Sequence, residues 1–139
     1  MNVMKVILVV MCVTIGMLFS GCVSLTYQEK CNLEVLKANG VTLNRPIGGF
    51  EAPNSSLAAG GLNLLPGIGN FYLAFGRGND TVQCVYGLVN LLVWPCSILW
   101  GIPQGAIDAI TLNEREMLYY YRYDEHGKKA LQERNINLE

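Results

Sequence analysis

The stretch Val82-Gln83-Cys84-Val85-Tyr86-Gly87-Leu88-Val89-Asn90-Leu91-Leu92-Val93-Trp94-Pro95-Cys96-Ser97-Ile98-Leu99-Trp100 carries no charged side chain. As one continuous helix its nineteen residues would reach about 28 Å, close to the roughly 30 Å of a bilayer's hydrocarbon core. Two residues weaken a straight span: Pro95 would kink it, and Asn90 would need a polar partner inside lipid. A break at Pro95 gives two shorter helices instead, which suits an apolar hairpin dipping into one leaflet. Trp94 and Trp100 stand toward the far end, as interface aromatics often do. Arg77 and Arg115 flank the run almost evenly, so charge assigns it no orientation.

The same character extends outward on both sides. Across residues 52–107 only Arg77 and Asp80 are charged. Ser55 or Ser56 is expected to cap a short helix over residues 57–65, which Pro66-Gly67 then stops. Gly101 and Gly105 are four apart, the spacing that lets helices approach closely or a chain self-associate, while Pro103 between them marks a helix start or a kink. The flanks are polar. In the stem, residues 25–38 read as a helix with a Lys30–Glu34 pair, ended by Asn39-Gly40, and a short extended piece follows over residues 41–44. In the tail, Asn113 and Glu116 have capping-box spacing, so a helix is expected from Glu114 to about Tyr123. The run Tyr119-Tyr120-Tyr121-Arg122-Tyr123 has high strand propensity, which makes an edge strand the competing expectation. Residues 124–127 read as a turn before a last helical turn or two over residues 128–134.

Composition agrees with this layout. Of 139 residues, 51% are hydrophobic and 15% charged, where a soluble domain carries about 25% charged. Ten basic and eleven acidic side chains give a net charge of -1, which supplies no electrostatic basis for nucleic-acid binding. The length allows one small domain.

The N-terminus has the form of a secretory leader: Lys5, then an apolar run over residues 6–19, closing on Leu18-Phe19-Ser20-Gly21-Cys22. This ending resembles the lipobox of bacterial lipoproteins, with Phe19 where leucine is commoner. The resemblance implies that the Cys22 thiol receives a diacylglycerol, that cleavage falls between Gly21 and Cys22, and that the new amine is acylated, typically with palmitate. Several acyl chains anchor firmly, since each buried methylene contributes about 0.8 kcal/mol. The residue after the lipidated cysteine is Val23 rather than Asp, which in a diderm host implies transfer to the outer membrane. An uncleaved signal anchor is the plain alternative. Loss of Lys5 with the leader leaves nine basic and eleven acidic groups, a net charge of -2.

Pro66-Gly67-Ile68-Gly69, Phe71-Tyr72-Leu73, the polar turn, the apolar helix and Ile107-Asp108 together resemble the second half of TM2 domains, over residues 64–108. The chain lacks that family's full-length first helix, and Asn70 stands in place of its histidine-containing turn. The resemblance implies a helical hairpin in a membrane and carries no activity with it.

The expected fold is therefore mainly α: a small membrane-associated helical protein with a signal peptide at 1–21, a lipid-anchored polar stem at 22–51, an apolar helical hairpin at 52–110 and a polar tail at 111–139. Cys31, Cys84 and Cys96 remain after processing, and the last two are expected to be small buried hydrophobes. No C-x-x-C pair exists and His126 is the single histidine, so no metal or cofactor site is expected. Gly67-Ile68-Gly69 and Gly76-Arg77-Gly78 fit no phosphate-loop pattern and read as backbone turns. Residues Tyr119, Tyr120, Tyr121, Arg122 and Tyr123 form a candidate interaction surface, an aromatic girdle at headgroup level, or packing against the apolar middle. Lys128, Lys129 and Arg134 read as a solvated face diluted by Glu125 and Glu133.

The function expected from these features is a lipid-anchored cell-envelope protein with a structural or interaction role. Its partners would be membrane lipid, reached through the acylated Cys22, and a second copy or another envelope protein. Two alternatives are carried with it: a defence lipoprotein blocking phage or toxin entry, and a thiol enzyme using Cys31 with His126 as base. No catalytic residues are assigned.

Overall fold

The computed structural model describes residues 23–76, 80–94 and 96–138. The leader, the processing residues Gly21 and Cys22, and the expectations placed on Arg77, Gly78 and Pro95 lie outside them. Six helices and no strand form among the described residues: α1 Tyr27–Ala38, α2 Ser56–Leu62, α3 Ile68–Phe75, α4 Val82–Leu92, α5 Ile98–Tyr123 and α6 Glu125–Gln132. No described helix is long and apolar enough to cross a membrane.

Local chemistry explains most of the helix ends. Thr26 and Glu29 form a capping box at α1: the Thr26 hydroxyl accepts from the Glu29 amide, and the Glu29 carboxylate accepts from the Thr26 amide at 2.6 Å. Asn39 closes α1 and Gly40 follows at φ 76°, as expected for a glycine stop. Ser55 caps α2 by accepting from the Ala58 amide, but α2 ends at Leu62, before Pro66 is reached. The extended piece over residues 41–44 reduces to one isolated bridge between Thr42 and Arg45. Asp124, expected in a turn, caps α6 by accepting from the His126 and Gly127 amides, so that helix starts at Glu125 rather than near residue 128.

The largest departure is α5. Its 26 residues run about 39 Å, absorb Pro103 and carry through the boundary expected at residue 110. Asn113, expected to cap a new helix, sits inside α5. Its side chain accepts from the Asn54 amide at 3.0 Å and donates to the Asn54 carbonyl at 2.7 Å. The tyrosine run is helical, as the last turns of α5.

α5 joins two packing units with opposite character. The head is an ordinary hydrophobic core, in which Leu33, Leu36, Val41, Phe50, Met117, Leu118, Tyr121, Leu131 and Ile136 come together from α1, the connection after it, the second half of α5, and α6 with the chain beyond it. Lys37–Glu114 at 3.3 Å ties α1 to α5, and Glu34 pairs with Lys37 in place of Lys30. The foot comprises α2, α3, α4 and the first half of α5. α2 lies against α5, α3 against α2 and α5, and α4 chiefly against α3, so the expected hairpin has four limbs rather than two. These contacts are made through small residues: a Cβ on Gly105 would stand 2.5 Å from Asn63 Nδ2 and 2.9 Å from the Ala59 carbonyl. Gly101 and Gly105 thus use their spacing to receive α2 within the chain. Gly67, at φ 71°, turns the chain into α3 directly beside the Gly87 carbonyl of α4, where a side chain has no room.

Candidate functional site: an apolar foot around a buried polar spine

A soluble amphipathic helix buries its apolar stripe. α4 does the reverse. Its buried residues are Gln83, Gly87 and Asn90, one helical face at i, i+4 and i+7, while Val82, Val85, Leu88, Leu91 and Leu92 point outward. Leu92 is 83% exposed. Phe75 of α3, Leu57 of α2, Leu64 and Leu65 of the turn, Trp94, and Leu99, Ile107 and Ile110 of α5 are exposed as well. At 100° per residue the exposed apolar positions cover about half the circumference of α4.

Inside, the polar side chains form one directed chain of hydrogen bonds. Trp100 Nε1 donates to Asn90 Oδ1 at 2.9 Å, and Asn90 Nδ2 donates to Asn70 Oδ1 at 2.8 Å. Asn70 Nδ2 donates to Gln83 Oε1 at 2.7 Å, and Gln83 Nε2 donates to Asp108 Oδ2 at 2.9 Å. The other carboxylate oxygen of Asp108 accepts from the Val23 amide at 3.2 Å. Indole nitrogen only donates, so the Trp100 end fixes the orientation of every amide from there to Asp108. Asn63 braces the chain from α2, donating to the Gly101 carbonyl at 2.6 Å and accepting from the Asn70 amide at 3.3 Å. The Ser97 hydroxyl takes up the Asn90 carbonyl at 2.8 Å. Asn70, Gln83 and Asp108 are fully buried. The partner that Asn90 needs is therefore supplied from within the fold, and Trp100, expected at an interface, is buried to supply it; Trp94 is exposed.

The spine also fixes the N-terminal segment. Val23 is buried beside Ala59, Leu73, Ala109 and Leu112, with its amide on Asp108. Arg115, two turns along α5, donates to the Ser24 carbonyl at 2.8 Å and meets Glu29 at 3.7 Å. Val23, the residue that follows Cys22, is thus held to the foot at Asp108, and Ser24 to the second half of α5 at Arg115.

The tyrosine run does not form one surface, because a helix distributes consecutive residues around its axis. Tyr121 faces the core, where its hydroxyl accepts from the Ile47 amide at 2.8 Å and donates to the Ile47 carbonyl at 3.0 Å. Burial pushes its phenol above the ordinary value, against the pull of the Ile47 hydrogen bond. Tyr120 donates to the Gly48 carbonyl, and burial together with the Asp124 carboxylate raises its phenol too. Only Tyr119, Arg122 and Tyr123 remain exposed, Tyr119 and Tyr123 as a tilted ring pair with Arg122 over Tyr123. Tyr119, Tyr120 and Tyr123 line, with Phe50, Pro53, Glu51, Glu116 and Asp124, an open cleft of about 550 Å³. Cys31 is exposed on α1 and His126 on α6, and no hydrogen bond joins them. Cys96, expected to be buried, is an exposed free thiol in the turn between α4 and α5. Among the described residues no group of three or more potential metal ligands forms.

Gln83 and Asn63 were not singled out by sequence reasoning, and Asn70 and Asp108 entered it only as parts of the TM2-like stretch, with no role assigned. The available signal was the polar i, i+4, i+7 face of Gln83, Gly87 and Asn90 within a run free of charge. Compared with protein families, characterised proteins and solved structures, the chain matches none of them.

Proposed function

We propose that this chain is a lipid-anchored protein of the bacterial cell envelope, attached through Cys22, with a structural or interaction role at the membrane. The observation that carries this reading is the Val23–Asp108 contact, which holds the residue next to Cys22 against a foot whose exterior is apolar. An anchor attached there delivers its acyl chains next to the surface that most needs cover from water. The exposed part of the head, with Tyr119, Arg122, Tyr123 and the cleft beside them, is left to face the aqueous side, where an envelope partner would be met. Metabolic labelling tests the anchor. Labelled palmitate should enter the wild-type chain and fail to enter Cys22→Ala, which should accumulate as the longer precursor. Equal labelling of both, or of neither, refutes the reading.

A further inference from the structure

We infer that the foot is a seat for one leaflet of a lipid bilayer, with its boundary at the level of Asp108 and its tip, around Leu92 to Trp94, near the bilayer midplane. The inference rests on the anchored reading only in that lipid at Cys22 places the chain at a membrane; the depth and orientation follow from the foot itself.

The direction of the foot is set by its connections. The end of α3 lies beside the head: Gly76 abuts Asn54, whose backbone is pinned to Asn113 of α5. α4 therefore starts near the head and descends, and α5 returns from the tip. Eleven residues of α4 descend about 16 Å, and the eleven residues from Ile98 to Asp108 rise about as far. Both match half of a roughly 30 Å hydrocarbon core. Above Asp108 the charged side chains of α5 begin with Glu114 and Arg115, both paired with α1, while below it the described surface is apolar up to Asp80 at the head of α4. Asp80 lies at that same upper level, one turn from Gln83, and its carboxylate caps the Val82 amide at 3.0 Å.

Two further features favour lipid over a second copy as the cover. The exposed apolar residues come from all four limbs of the foot, whereas a two-fold dimer would cover a single patch. The polar side chains of the spine are paired inside the fold, as a hydrocarbon solvent requires. The anchor fits the same geometry. Val23 is held at Asp108, at the upper level of the foot, so a diacylglyceryl group on the residue before it would have the headgroup boundary within reach.

The native cysteines read this arrangement. The purified mature protein is reconstituted in vesicles of phosphatidylethanolamine and phosphatidylglycerol, treated with a membrane-impermeant maleimide, and mapped by mass spectrometry. Cys31, exposed on the head, should be modified, and Cys96, exposed at the tip, should be protected until detergent is added. Trp94 fluorescence should be quenched by lipids brominated near the acyl-chain ends, and Leu92→Asp should lose most of that quenching. Modification of Cys96 in intact vesicles overturns the inference. Protection of Cys96 without quenching of Trp94 also overturns it, and assigns the foot to a second copy. The same map reports Cys22: lipid on Cys22 with an open Cys96 leaves the anchor standing and removes the seat. A bare Cys22 with a protected, quenched tip does the opposite.

Discussion

Replacing Asp108 by Asn tests the polar spine through its direction. Asp108 offers two acceptor oxygens, one to Gln83 Nε2 and one to the Val23 amide. Asparagine offers one oxygen and one amino group, so in either orientation a donor faces a donor. Gln83 cannot turn to relieve this, because its Oε1 accepts from Asn70, Asn70 accepts from Asn90, and Asn90 accepts from Trp100. One buried donor is left unpaired, at a cost of about 1–3 kcal/mol. In a chain of this size each kcal/mol corresponds to about 4 °C in Tm. Trp100→Phe releases the fixed end: in the double variant the amides can all reverse, and a single unpaired amino group on Asn90 replaces two separate defects. The double variant should therefore lose about 1–3 kcal/mol less than the sum of the singles. Thermal and denaturant unfolding of the four proteins in detergent measures the cycle. Strict additivity, or an Asp108→Asn variant as stable as wild type, refutes the directed network.

Other perturbations have defined outcomes. Gly105→Ala should lower stability by about 1–3 kcal/mol in the same unfolding assay, because its methyl group meets Asn63 and the Ala59 backbone. Tyr121→Phe should cost about 1–3 kcal/mol, since it removes the hydroxyl that serves both backbone groups of Ile47; an unchanged urea midpoint would contradict that. Desolvation raises the Glu29 carboxyl, but hydrogen bonds from the Thr26 amide and hydroxyl and the Arg115 charge outweigh it, leaving Glu29 below its ordinary value of 4.5. Its contribution should therefore be full above that unfolded value and fade as pH falls through the lower folded one. Glu29→Gln should flatten that limb of the stability profile.

Features fixed by neighbouring residues were legible in the sequence. Ser55 as a cap, Asn39-Gly40 as a stop and the charge-free run as helix broken before residue 98 are local signals, and each is found where expected. The misread features depend on distant partners. Pro103 and Asn113 looked like helix boundaries. Pro103 is exposed within α5, and Asn113 spends its capping chemistry on Asn54, 59 residues away. The tyrosine run looked like one surface because propensity and composition carry no phase; the helix sends Tyr121 to Ile47, 74 residues distant, and leaves Tyr119 and Tyr123 outside. The Asp108–Val23 contact spans 85 residues and has no sequence signature at all.

The N-terminus of the mature protein is the most direct test of lipid anchoring. Mass spectrometry of the chain extracted from native membranes should find Cys22 as the first residue, carrying a diacylglyceryl group on sulfur and an acyl group on nitrogen. A chain that still begins upstream of Gly21, with the Cys22 thiol unmodified, would contradict it.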